Sequence, residues 1–552
     1  MSFVENPILK GFNPDPSIIR VGENYYIATS TFEWFPGVQI HHSRDLVNWQ
    51  LISRPLDRVS QLDMKGVPDS CGVWAPCLSW DNGKFYLVFT NVRSFDGRWK
   101  DTLNFLVTAE SIDGPWSDPI RLPNFGFDPS LFHDDDGRKW FTSMIVDHRS
   151  ENFFGGIVLQ EYDPVEQKCI GTVEHIFEGT ELGLTEAPHI YRRDGFYYLV
   201  VAEGGTEYGH AVSVARSKSL GGPYEVHPDN PIITCADLPD HSIQKSGHGD
   251  IVESPTGELF IVFLMGRPLT TRGRCTLGRE TAIEELVWPK GGWPRLKSGA
   301  RSPRLRFEMP SVVDVAEGLK AGDLIGERSE ISTRVEFCGT DLPIEFQSLR
   351  VPIDASWCSM TARPECLRLF GRESLSSQFE QSLVARRVDS FEIKASTCVE
   401  FSPTSFQQMA GLVCYYNTSH WYYLNISGDE SGKKLLRITS CNRHVVEEIL
   451  ETPIDVSGTE KVYLEVCFVR ERIAFGYSLD GQDWKSINAD LDGSILSDDY
   501  VRDEGNRYRP AFTGSFVGLC CQDLTGQNQH ADFHHFDYSI PNQENQKKLS
   551  QR

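Results

Sequence analysis

Asp15-Pro16-Ser17-Ile18-Ile19-Arg20 turns through Gly22-Glu23-Asn24 into Tyr25-Tyr26-Ile27-Ala28, and the chain repeats this pattern four more times. Trp74-Ala75-Pro76-Cys77-Leu78-Ser79 turns at Asp81-Asn82-Gly83 into Phe85-Tyr86-Leu87-Val88-Phe89. Asp128-Pro129-Ser130-Leu131 turns at Asp135-Asp136-Gly137, and Glu186-Ala187-Pro188-His189 turns at Arg193-Asp194-Gly195 into Phe196-Tyr197-Tyr198-Leu199. The last copy opens at His248-Gly249-Asp250-Ile251 and turns at Thr256-Gly257 into Leu259-Phe260-Ile261-Val262. Each copy reads as a β-hairpin, because Asp-Gly and Asn-Gly supply the positive φ angles of tight turns. The copies begin at residues 15, 74, 128, 186 and 248, a period of 54 to 62 residues. That period suits one four-stranded sheet per copy, so residues 1–320 are read as a five-bladed β-propeller in an all-β chain.

Equivalent positions in blades related by a pseudo-fivefold axis share one radius. The opening residues Asp15, Trp74, Asp128, Glu186 and His248 are therefore expected at one mouth of the central channel. Taken singly, each carboxylate reads more readily as a turn or cap residue beside proline or alanine. Three of them at a crowded axis, where desolvation disfavours charge, point to chemistry.

Beyond about residue 325 the period disappears. Segments such as Ser390 to Phe401, Leu412 to Ile426, Val462 to Ser478 and Phe516 to Cys521 alternate apolar with polar residues, separated by turns at Ser427-Gly428-Asp429 and Asp480-Gly481. Residues 321–552 are accordingly read as an antiparallel β-sandwich, with the boundary near Asp314 to Arg328. Helical periodicity is confined to brief stretches such as Val315 to Lys320.

The 552 residues carry 77 acidic and 54 basic side chains, a net charge of −23. Such a surface repels phosphate backbones and anionic lipid, which argues against nucleic acid and membrane partners. The longest apolar run, Leu259 to Met265, is far too short to span a bilayer. Met1-Ser2-Phe3-Val4-Glu5-Asn6 has no basic or apolar leader pattern, so a cytoplasmic location is expected. None of the 14 cysteines forms a Cys-x-x-Cys pair, which speaks against structural zinc and for buried, reduced thiols. Adjacent Cys520 and Cys521 are expected in a strand, one facing each side. Gly-x-Ser-x-Gly, P-loop and His-Glu-x-x-His motifs are missing.

Several long stretches closely resemble glycoside hydrolase family 43, within it the two-domain β-xylosidases. They are Asn6 to Ser17, Ala28 to Val38, Trp74-Ala75-Pro76, Phe127 to Phe132, Thr185 to His189 and Leu277-Gly278-Arg279-Glu280-Thr281. Gln408 to Leu412 and Phe512-Thr513-Gly514 extend the resemblance over nearly the whole chain. It implies an inverting hydrolase with Asp15 as general base, Glu186 as general acid and Asp128 as the carboxylate that tunes the acid. Arg279 would bind sugar hydroxyls, while Phe32 and Trp74 would wall the pocket. His248 is either a hydrogen-bonded imidazole of the channel or a ligand for a divalent cation such as calcium; no cofactor is otherwise implied. The second half would be a concanavalin-like domain that helps close the active site through Phe512, the rival readings being a sandwich-core phenylalanine and a separate carbohydrate-binding module. One departure is Cys77, where the family commonly has an acidic residue, and this alters the local polarity of the second blade.

The expected function is an exo-acting β-1,4-xylosidase releasing xylose from the non-reducing ends of xylobiose and short xylo-oligosaccharides. The alternatives are an α-L-arabinofuranosidase and a non-catalytic sugar-binding propeller. Relatives are often dimers or tetramers, so a homo-oligomer is allowed, although no interface patch stands out. Asn417-Thr418-Ser419 and Asn425-Ile426-Ser427 match glycosylation sequons that are expected to be inert.

Overall fold

The turn residues adopt the backbone their chemistry favours. Gly22, Gly83, Gly137, Gly195 and Gly257 all have positive φ, between 63° and 91°, at the five hairpin tips of the computed structural model. The structure describes residues 3–309, 331–502 and 510–541. The expected boundary at Asp314 to Arg328 and the helical stretch at Val315 to Lys320 lie outside them.

Five antiparallel sheets follow in chain order. Blade 1 contains Ser17–Val21, Asn24–Thr29, Gln39–Ser43 and Gln50–Ser53; blade 2 contains Gly72–Asp81, Lys84–Ser94, Asp101–Ala109 and Ile120–Arg121. Blade 3 contains Ser130–His133, Lys139–Val146, Phe154–Asp163 and Lys168–Phe177. Blade 4 contains Glu186–Arg193, Phe196–Glu203, Ala211–Ser217 and Glu225–Val226, with Ile233–Thr234 also paired to its third strand. Blade 5 contains Gln244–Glu253, Leu259–Gly266, Arg279–Val287 and Arg295–Leu296.

Apolar faces stack between neighbouring blades. Tyr198, Val200 and Val212 of blade 4 share a buried cluster with Ile261 and Phe263 of blade 5. Ile18 and Ile27 of blade 1 meet Phe260 and Val262 of blade 5 in another, which closes the ring. Closure is reinforced by Phe3–Glu5 pairing with Arg306–Glu308. The Asn6 side chain adds bonds to both backbone groups of Ile283 and to the Arg304 carbonyl, each 2.9 Å.

The described residues divide into two compact units. Residues 3–63, 71–273 and 279–309 form the first; residues 64–70, 274–278, 331–502 and 510–541 form the second. In the second, one sheet runs through Leu367–Phe370, His530–Ile540, Glu392–Phe401, Lys461–Val469 and Arg472–Ser478. The other runs through Lys434–Asn442, His420–Gly428, Gln408–Asn417, Phe516–Asp523 and Leu383–Arg387. Their facing side chains, among them Leu412, Leu424, Leu464, Val466 and Phe536, make the sandwich core.

Two segments read as single long strands are hairpins. Leu412 to Ile426 breaks after Asn417, whose side-chain oxygen accepts the Ser419 N–H at 3.0 Å and so offers the backbone a turn in place of the ladder. Val462 to Ser478 breaks at Arg470, with φ 56°. Both sequon asparagines are buried in this sheet. All 14 cysteines are free and twelve are buried, Cys520 and Cys521 among them within one strand; only Cys338 is exposed. Among the described residues no helix is long and apolar enough to cross a membrane.

Candidate active site

Each inner strand carries an equivalent left-handed residue within it or just before it: Asp15 (φ 55°), Ala75 (36°), Asp128 (54°), Ala187 (51°) and His248 (54°), with Lys245 (56°) a further one in blade 5. Proline follows the first four and glycine the fifth. This backbone feature sets the true register among the blades. Asp15, Asp128 and His248 are equivalent, as read from the sequence, but Trp74 and Glu186 stand one residue earlier than their supposed counterparts. Ala75 and Ala187 hold the equivalent positions, and the strand registers slip between Trp74 and Cys77 and between Glu186 and His189. Such bulges re-aim a side chain at a rim, which is how Trp74 and Glu186 come to face the same site as the two aspartates.

Asp15 is 5% exposed and heavily bonded. Ser30 Oγ donates to its Oδ2 at 2.6 Å, and Arg279 Nη1 donates to its Oδ1 at 3.1 Å. His248 Nδ1 stands 3.8 Å from the same Oδ1. Arg279 opens the third strand of blade 5, is 4% exposed, and also donates to Thr206 Oγ1 at 3.0 Å. Its guanidinium carbon lies 5.3 Å from the centroid of Phe32. Phe32 in turn packs 5.9 Å from Trp74, which packs 5.4 Å from Phe127 and 4.9 Å from Phe95. An apolar wall thus stands beside a cluster of buried charge.

The electrostatics of the three carboxyls follow from this setting. Burial, then the negative charge of Asp15, pushes the Glu186 carboxyl up to about 8 against the pull of Arg279. Asp128 is also held well above the usual carboxylate range, chiefly by burial and then by Glu186 and Asp15, while Arg279 and the Ala187 N–H draw it back. Burial pushes His248 down to about 4 and His210 down to about 3, so both rings are neutral near pH 7. The arrangement pairs a carboxyl that keeps its proton with one that accepts donors from two side chains.

Glu203, Ser30, Thr206 and His210 went unread in the sequence. Glu203 is fully buried and accepts from Thr180 N, Thr180 Oγ1 and Thr185 Oγ1 at 2.6 to 2.9 Å, which fixes the loop leading into Glu186. A lone carboxylate ending the apolar run Leu199-Val200-Val201-Ala202 was its only signal. Cys77 lies two residues beyond Ala75 and lines a cavity with Ser130, His189 and Asp250. Its thiol is pushed up to about 12 by burial and then by Asp250. The buried acid of that region is therefore Asp250, which accepts from Ser17 Oγ (2.9 Å), the Ile18 N–H (2.8 Å) and the Tyr191 hydroxyl. Among the described residues no three His, Cys, Asp or Glu side chains gather as a metal set. Phe512 belongs to the second unit, 6% exposed, its N–H bonded to Ser70 Oγ at 3.1 Å.

The profile described as Glycosyl hydrolases family 43 matches residues 4–294. This chain belongs to glycosyl hydrolase family 43. Residues 334–539 match a second profile, the beta xylosidase C-terminal concanavalin A-like domain, so the family 43 propeller is followed by a concanavalin-like sandwich. The chain is 49% identical to a beta-xylosidase of Bacillus subtilis (strain 168) over 97% of its own length and 99% of the relative's. It is 48% identical to xylosidase/arabinosidase 43B of Humicola insolens, covering 98% of each. The crystal structure of xylan beta-1,4-xylosidase from Bacillus halodurans C-125 superposes with a TM-score of 0.91 at 48% identity, over 97% of this chain and 100% of that one. As a family 43 member the chain is a glycoside hydrolase, and its substrate is a carbohydrate.

Proposed function

We propose that this chain is an inverting, exo-acting β-1,4-xylosidase that releases xylose from the non-reducing ends of xylobiose and short xylo-oligosaccharides. The observation that carries the reading is the contrast between two neighbouring carboxyls: Glu186, raised to about 8, and Asp15, bonded to Ser30 and Arg279. A group that stays protonated near neutral pH suits the general acid that protonates the leaving oxygen. A carboxylate held by Ser30 and Arg279 suits the base that takes a proton from water as it attacks the anomeric carbon from the opposite face. Asp128 is itself raised by burial and then by Glu186 and Asp15, and it meets the peptide that follows Glu186 through the Ala187 N–H, which suits a group positioned beside the acid. Arg279 offers its planar fork to sugar hydroxyls, and Phe32 and Trp74 supply the apolar wall.

Proton NMR of xylobiose hydrolysis tests this directly. Inversion at a β-linkage yields α-xylose first from the non-reducing unit, before mutarotation. Appearance of β-xylose first would sink the role given to Asp15.

The second reading, an α-L-arabinofuranosidase activity, is favoured by the double name of the Humicola insolens relative. The ratio of kcat/KM for nitrophenyl β-xylopyranoside and nitrophenyl α-L-arabinofuranoside decides between them. A Vibrio relative, 43% identical, is named a xylan 1,3-beta-xylosidase, so β-1,3- and β-1,4-linked xylobiose belong in the same comparison.

A further inference from the structure

The second unit carries a groove of about 690 Å³ on the outer face of its His530–Ile540 sheet, lined by Arg334, Lys394, Ser396, Tyr463, Trp484 and Asp537 among others. Period-2 alternation puts these side chains outward, because Ala395, Leu464, Phe536 and Tyr538, one residue away along the same strands, lie in the sandwich core. The register then lines the polar residues up across the sheet: Arg334 opposite Asp537, Asp537 opposite Ser396, and Ser396 opposite Glu465.

The charges of this floor are matched. Arg334 meets Asp537 at 3.1 Å and Lys394 meets Glu465 at 2.6 Å. An anionic ligand would have to displace a carboxylate from each cation, on a chain already at −23. One wall is the turn from Asp480 to Trp484. Asp480 Oδ1 accepts the N–H groups of Gln482 and Asp483, both at 2.8 Å, and takes the Ser478 hydroxyl at 2.9 Å. Gly481 presses on Tyr463 so closely that a Cβ there would meet the ring at 3.0 Å. Trp484 lies against the Lys394 ammonium, 5.3 Å from its ring centroid. The wall is thus built in advance of any ligand.

We propose that this groove is a second, non-catalytic binding site for a neutral oligosaccharide. Sugars present apolar C–H faces for Tyr463 and Trp484, and hydroxyls that both donate and accept for the paired Arg334–Asp537 and Lys394–Glu465. The volume lies in the range of small-ligand sites, about 300–1,000 Å³. The site goes beyond the catalytic reading and does not depend on it.

Hydrogen exchange on the full chain carrying Glu186→Gln, chosen to slow cleavage of the sugar, tests the site with about 10 mM xylotetraose and, separately, cellotetraose. The expected result is about threefold slower exchange of the amides of 480–484 with at least one saccharide, lost in Trp484→Ala and in Lys394→Gln. Trp484→Ala in the otherwise natural chain should leave xylobiose hydrolysis unchanged. Protection by cellotetraose alone supports the site and assigns it a hexose chain. The proposal is overturned if neither saccharide slows the turn, or if the slowing survives in both variants. Failure of the natural chain to cleave xylobiose would sink the catalytic reading and leave this one standing.

Discussion

The Ser30 hydroxyl donates to Asp15 Oδ2 at 2.6 Å, and its oxygen accepts the Ala75 N–H at 2.7 Å. One buried hydroxyl thereby joins the carboxylate of blade 1 to the left-handed residue of blade 2. Ser30→Ala removes a donor to a charged group and orphans a buried N–H. We expect kcat/KM to fall about tenfold or more, and stability to drop by about 1–3 kcal/mol in denaturant titration. Full activity with unchanged stability would mean that Asp15 is held by Arg279 alone.

The raised carboxyl of Glu186 predicts the alkaline limb of activity. The acid works while protonated, so kcat/KM should fall as pH rises through about 8. Glu186→Gln should abolish that limb and slow substrates with poor leaving groups most. Wild-type turnover of xylobiose by this variant would remove Glu186 from the mechanism.

The same shift links to stability. A carboxyl whose folded value lies above its unfolded one binds its proton more tightly in the folded state, so folding stability declines as pH rises from about 4.5 to about 8. Glu186→Gln should therefore raise Tm at pH 9 more than at pH 4. An equal change at both values would show that the carboxyl is not desolvated in the folded protein.

Arg279→Lys keeps the charge but loses the fork that reaches Asp15 and Thr206 together. The expected result is a rise in KM and a drop of about 10–100-fold in kcat/KM, with the fold retained in circular dichroism. Unchanged kinetics would make Arg279 a structural partner of Asp15 only. Phe512→Ala tests the closing role implied by the family resemblance: KM should rise, and unchanged kinetics would leave Phe512 as a core residue of the second unit.

The thiols give a test of the fold itself. Cys338 is the one exposed cysteine, while the partly buried Cys169 is pushed up to about 12 by burial. Ellman's reagent should titrate one thiol rapidly in the native protein and fourteen after denaturation. Rapid reaction of several native thiols would contradict the packing of the sandwich, where most of them lie.

The five hairpins were legible in the sequence because turn chemistry is local. Asp-Gly and Asn-Gly fix φ within a few residues, and the apolar strands beside them fix the period, so blade number and the candidates Asp15, Asp128, Glu186, Trp74 and His248 needed no coordinates. The one-residue offset of Trp74 and Glu186 was not legible, because it resides in bulges that only the positive φ of Ala75 and Ala187 reveals. Two hairpins in the sandwich escaped for a related reason: neither tip contains the glycine that marks the others, the Asn417 side chain accepting the Ser419 N–H in one and Arg470 taking φ 56° in the other. Ser30, Thr206 and Glu203 are ordinary polar residues until the ring closes and brings Arg279, 264 residues from Asp15, into the same site. The outer groove of the sandwich likewise gathers residues from Arg334 to Asp537 through cross-strand register. Contacts between residues so far apart depend on packing and closure, which no local pattern of residues encodes.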